Sequence, residues 1–147
     1  MYRIGIDLGG TNIAVGVVDE QYRIVSKAAV PTGAERPYQE VVADMISAVE
    51  EALSAAGLTA ADCESIGIGS PGNCDSERGV VVRAYNLSWF NVPVCELLQK
   101  RFGIPARLSN DANVAALAET VAAAAVGCRV RVTGICDKCL KHKKRRK

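Results

Sequence analysis

The sequence predicts an α/β lobe, and three observations carry that expectation. An alternating apolar run from Tyr2 passes through two glycines into a second such run, Tyr38 to Ala56 has helical periodicity, and several short β-branched runs end in Gly-rich or Asn/Asp-rich loops. In the first run, Tyr2, Ile4, Ile6 and Leu8 fall on one face of an extended segment and Asp7 on the other; Ile13, Val15 and Val17 resume the alternation after Gly9, Gly10, Thr11 and Asn12. The pattern is strand, loop, strand. A dinucleotide fingerprint or a P-loop needs a helix after its glycines, and the β-branched stretch from Thr11 to Val18 excludes both. Gly9 and Gly10 can take positive φ and leave no Cβ in the way, so backbone N–H groups could approach a phosphate, with the Thr11 hydroxyl as a further donor. Asp7 could then hold Mg²⁺ through water. The same residues equally fit a plain Gly-Gly hairpin turn with a surface aspartate.

Tyr22 to Val30 offers a third strand, closed by Pro31, Thr32 and Gly33, so three consecutive antiparallel strands are expected. Tyr38 to Ala56 follows as an amphipathic helix carrying Val42, Met45, Ile46, Val49 and Leu53 on its apolar side, with Gly57 as a stop. Ser65 to Gly69 is a short apolar strand, and Ser70, Pro71 and Gly72 put a backbone-rich loop at its carboxyl end, where α/β proteins bind ligands. Gly79 to Ala84 is a β-branched run, Pro93 to Phe102 a short helix opening at a proline, and Ala106 to Ser109 one more strand. Asn110, Asp111, Ala112 and Asn113 then open an alanine-rich helix running to about Ala125. Asn and Asp are preferred helix N-caps, which explains the pair structurally. A functional reading stands beside it: a carboxylate at a strand-to-helix junction, with a usual pKa of ~3.9, is ionised at neutral pH and can accept a proton.

Composition sets the class. At 147 residues and 49% apolar content the chain can bury a core of its own. No apolar run approaches the ~20 residues of a membrane span, and no basic-then-apolar leader follows Met1, so a cytoplasmic protein with no membrane partner is expected. Lys141 to Lys147 holds 6 of the 18 basic residues, which leaves the rest mildly acidic. Six cysteines are scattered without the density of a small secreted scaffold, which suits reduced thiols.

Four segments together resemble the amino-terminal half of the ROK family of sugar kinases and related repressors. They are I-G-I-D-L-G-G-T-N at Ile4 to Asn12, G-I-G-S-P-G-N-C-D at Gly67 to Asp75, N-L-S-W at Asn86 to Trp89, and N-D-A-N-V-A-A-L-A-E at Asn110 to Glu119. Each alone is weak, but the set in this order is specific. Asn86 to Trp89, with a first strand that already begins at Tyr2, looks most like the glucokinases. The resemblance implies an actin-like, ribonuclease-H-like lobe with a βββαβα core, which in the family is paired with a second lobe that is expected to be absent here. It implies that ATP and a hexose, glucose first, are the ligands, and that Asp7, Gly9, Gly10, Thr11 and Asn12 match the first phosphate loop, with Asp7 near Mg²⁺. Gly72 and Asn73 match the sugar-side loop, Asn86 lies near the sugar, and Asn110 with Asp111 matches the pair that holds a sugar hydroxyl and deprotonates it. Asp111 is thus the implied catalytic base.

The likeness fades between Glu119 and Gly127, so residues 1–127 are read as the kinase lobe and 128–147 as a non-matching, basic, disordered tail. The family continues into a second phosphate loop and a Cys-rich zinc cluster, whereas this chain gives Cys136-Asp-Lys-Cys139 and His142, three ligands where a structural zinc site wants four. The family's zinc site is therefore not expected here. The run K-H-K-K-R-R-K could draw nucleic acid electrostatically, but it has no interleaved aromatics, and no nucleic-acid partner is expected. The expected protein is a truncated ATP-dependent hexose kinase with little or no activity alone and a tendency to self-associate. The rival is a non-catalytic sugar-binding or regulatory remnant.

Overall fold

The computed structural model describes residues 1–111 and Asn113, which fall within one unit spanning Met1–Val114. Its centre is the alternation seen in the sequence. Strand β1 (Tyr2–Leu8) pairs antiparallel with β2 (Asn12–Val18), which pairs antiparallel with β3 (Ile24–Pro31), and Ile4, Ile6, Leu8, Ile13, Val15 and Val17 all point to the buried face. The third strand starts later than Tyr22. That residue has φ 60, and the Asp19 carboxylate accepts hydrogen bonds from the N–H groups of Gln21 and Arg23, so a turn holds the segment.

Helix α1 (Tyr38–Ala55) covers β2 and β3 with Val41, Val42, Met45, Ala48, Val49, Ala52 and Leu53, as its 3.6-residue period requires. The Ser26 hydroxyl donates to the Ala52 carbonyl at 2.7 Å and ties β3 to the last turns of α1. After one 3-10 turn at Ala60–Asp62, strand β4 (Cys63–Ser70) lies parallel to β1, with Ile66 and Ile68 in the same core. Fully burying side chains of this kind stabilises by about 1.5–3 kcal/mol each.

A second, smaller sheet follows. It is built from β5 (Asn73–Asp75), β6 (Val80–Ala84) and β7 (Trp89–Val92) in the order β5-β6-β7, all antiparallel. Of these only β6 was marked by a β-branched run. Trp89 is 3% exposed and meets the Tyr38 ring edge-to-face at 6.4 Å, so an indole from β7 packs against the start of α1. Helix α2 (Val94–Phe102), opened by Pro93, buries Val94, Cys95 and Leu98, and β8 (Ala106–Asn110) adds parallel to β4. The main sheet thus runs β3-β2-β1-β4-β8, a mixed sheet in an α/β lobe. Asp111 and Asn113 are helical; the remainder of the alanine-rich helix, with Cys136, Cys139, His142 and the basic run, lies outside the described residues. Among the described residues no helix is long and apolar enough to cross a membrane.

Candidate functional site

Because β1, β4 and β8 are parallel, their carboxyl ends share one edge of the sheet, where open α/β sheets bind ligands. Antiparallel pairing brings the start of β2 and the end of β3 to the same edge, with Asn12 opposite Pro31. The three marked stretches therefore converge there: the loop between β1 and β2, the loop after β4, and the residues after β8.

The first loop is a tight hairpin. The Gly9 N–H donates to the Asn12 carbonyl at 2.9 Å, so this amide is occupied within the turn, which leaves the phosphate-donor expectation to Gly10 and Thr11. Neither Gly9 nor Gly10 is among the positive-φ glycines, contrary to the conformational argument from sequence. Their need for glycine is closeness. A Cβ on Gly9 would stand 2.7 Å from the Asn12 carbonyl oxygen, and one on Gly10 would stand 3.0 Å from the Asn86 Nδ2 atom. Asn86, in the 3-10 turn Tyr85–Leu87, thus lays its amide against the first loop.

A residue the sequence reading passed over holds this loop. Thr32 is fully buried; its N–H donates to the Thr11 carbonyl at 2.8 Å and its hydroxyl to the Gly9 carbonyl at 2.7 Å. Pro31-Thr32-Gly33 reads as strand-ending punctuation, and the available signal was a hydroxyl residue directly after a strand destined for the ligand edge. Thr32→Val keeps the shape and removes the donor, leaving the half-buried Gly9 carbonyl with one partner fewer. We expect a loss of about 1–3 kcal/mol in a denaturant titration, largely recovered in Thr32→Ser.

Asp7 points away from the core, exposed, with Ala14 and Gly69 as its register neighbours on either side. Small neighbours leave the carboxylate uncrowded. That suits Mg²⁺, which keeps several of its waters and is held by one or two carboxylates plus phosphate oxygens. Among the described residues no group of three or more His, Cys, Asp or Glu side chains forms a direct metal cage.

The loop after β4 is fixed by the backbone. Gly72 has φ +85, and its carbonyl accepts a hydrogen bond from the Asn110 side-chain amide at 2.9 Å. The last residue of β8 therefore holds the loop after β4. Asn73 is exposed at the start of β5 and pairs in register with Arg83. Asp111 follows Asn110 directly, exposed and helical; burial pushes the Cys74 thiol above the usual thiol range against the lowering effect of its hydrogen bond to Ser70, and the Asp111 charge adds to the rise. Burial drives the neighbouring Cys95 up to about 11, so both thiols are protonated and poorly nucleophilic at neutral pH. The geometry joins Gly10 with Asn86, and Gly72 with Asn110. Asn12 closes the hairpin through its carbonyl and pairs with Pro31 on β3. A shallow depression lined by Leu53, Leu58 and Phe102, with the Glu50–Arg101 ion pair, lies by the carboxyl end of α1 at the other edge of the sheet and brings no such groups together.

The sequence model of the ROK family matches residues 3–135. The glucokinase of Streptomyces coelicolor is 41% identical over 117 residues, which cover 79% of this chain and 34% of that protein. The xylose repressor of Caldicellulosiruptor bescii is 32% identical over 123 residues, covering 79% of this chain and 29% of the repressor. Among solved structures, a ROK family glucokinase from Streptomyces griseus in complex with glucose and AMPPNP superposes with a TM-score of 0.73 at 38% identity, over 82% of this chain and 36% of that one. The chain spans about a third of the length of the relatives it matches.

Proposed function

Because the chain belongs to the ROK family, we propose that it carries the sugar-side and first phosphate-loop half of an ATP-dependent hexose kinase of glucokinase type. The observation that supports this most directly is the Asn110 amide bonded to the Gly72 carbonyl at 2.9 Å, with Asp111 next in the chain. A loop, a hydrogen-bonding amide and a carboxylate then meet at the ligand edge.

In this reading glucose lies against Gly72, Asn73, Asn86 and Asn110. Asp111 takes the proton of the attacking hydroxyl, the new O–P bond forms at the γ-phosphorus, and the bond from that phosphorus to the leaving ADP oxygen breaks. Phosphoryl transfer relies on positioning and on charge stabilisation, so no covalent enzyme intermediate is required. Gly10 and Thr11 would supply donors to phosphate oxygens, and Asp7 would hold Mg²⁺ through water, where the ion would neutralise phosphate charge.

Glucose binding to the 147-residue chain, followed by calorimetry, tests the sugar half of the proposal. Heat with glucose is expected, and Asn110→Ala should weaken it by roughly tenfold, since a buried or bridging amide bond is worth ~1 kcal/mol and a second contact to the sugar is lost with it. Absence of heat from the intact chain would remove the reading. The similarity to a xylose repressor supports a second one, a sugar-responsive regulatory lobe. Glucose binding without any turnover would favour it.

A further inference from the structure

The outward side of the small sheet carries a cluster that the kinase reading does not use. Arg83 on β6 pairs in register with Phe90 on β7 and with Asn73 on β5, and directly opposed residues in a sheet share a face. The Arg83 guanidinium lies 4.8 Å from the centroid of the Tyr85 ring and 5.8 Å from that of Phe90, both within cation–π range. Tyr85 is 80% exposed and Phe90 66%, so two large rings stand in solvent beside a cation. Five of the seven described arginines (Arg3, Arg23, Arg36, Arg78 and Arg101) have an acidic partner. Among the described residues, Arg83 and Arg107 form no such ion pair.

An arginine flanked by two rings differs physically from one that is merely exposed. Rings beside a guanidinium restrict its rotamers, so less side-chain entropy is lost when its N–H donors engage a ligand. A planar fork with fixed donors matches two oxygens of one anion. The site is also anchored. The Arg83 carbonyl packs against Gly72, where a Cβ would come within 2.2 Å of its oxygen, so the backbone under the cation cannot shift without moving the loop held by Asn110.

We propose that Arg83, Tyr85 and Phe90 form a binding site for an oxyanion, the phosphate or carboxylate group of a small ligand, on the face of the small sheet beside Asn73. The inference stands apart from the kinase reading, because it requires neither ATP nor turnover.

The test is an NMR titration of the side-chain Nε–H signals of the 147-residue chain with inorganic phosphate, with acetate, and with sodium chloride at matched ionic strength. The Arg83 signal is expected to move saturably with phosphate or acetate and not with chloride; which of the two saturates first identifies the preferred oxyanion. Arg83→Lys keeps the charge and loses the fork, and should weaken binding at least fivefold. Tyr85→Ala with Phe90→Ala keeps the fork and frees it, with a smaller loss. Arg107→Gln should leave the titration unchanged. A linear response equal to that of chloride would overturn the proposal, as would undiminished binding in Arg83→Lys or an equal loss in Arg107→Gln.

Discussion

Asp111→Asn is expected to lower ATP-dependent glucose phosphorylation by roughly 10² to 10⁴, the usual worth of a positioned general base. Asparagine is nearly isosteric and keeps a hydrogen-bonding oxygen, so the fold and the approach of the sugar should survive while the proton acceptor is lost. The chain spans about a third of the relatives' length, and parent and variant are compared at that same length. The informative quantity is therefore the ratio between parent and variant in one coupled assay. Loss of rate with unchanged glucose binding would locate the defect in the chemical step. A variant as active as the parent would sink the assignment of Asp111 as base.

The second large effect is expected at Gly72. With φ +85 it occupies backbone space that L-residues rarely adopt, and a Cβ there would stand 2.2 Å from the Arg83 carbonyl oxygen and 2.9 Å from the Ala84 Cα. Both obstacles are main chain in a paired strand, so no side-chain rotation relieves them. Gly72→Ala should destabilise by at least ~1–3 kcal/mol from conformation alone, with the collision added. The loop must then move away from β6, and the Asn110–Gly72 bond moves with it. Thermal unfolding together with glucose calorimetry separates the two consequences: a fall in Tm with glucose affinity intact would show that the loop has no part in sugar binding. A variant with parental Tm would contradict the close packing of Gly72 on β6.

How far these features could be read from the sequence depended on whether a residue's role was periodic or relational. The faces of β1 and β2 follow from the alternation of Ile4, Ile6, Leu8, Ile13, Val15 and Val17, since period two leaves one solution once a face is buried. Helix α1 follows for the same reason at period 3.6. Strands β5 and β7 did not show themselves, because both are too short for a period and Asn73-Cys74-Asp75 is also rich in turn formers. Their pairing with β6 comes from tertiary contact. At the site, the four family-like segments named the residues, but not what holds them: Thr32 serves through two carbonyls of a distant loop, and no local pattern encodes that. Gly9 and Gly10 were expected to take positive φ and to leave no Cβ in the way; neither has positive φ, and the missing Cβ matters for Asn12 and Asn86, neighbours that a propensity argument cannot see. Arg83 carried no signal, as Phe90 meets it only after β6 and β7 have paired and Tyr85 stands beside it only through the turn after β6.

The order β3-β2-β1-β4-β8 also bears on how the lobe is assembled during synthesis. The first three strands close through two short turns within residues 1–31, so they can zip together as soon as they emerge. The β1–β4 pairing that sets Gly5 beside Gly67 must wait for the whole of α1 and the turn after it. Closing so long a loop costs more entropy and slows the step. Until it occurs, β1 is an open edge with an apolar face, able to pair with another unfinished chain. The strand that ends up most protected in the native sheet is thus the one most exposed to misassembly on the way there.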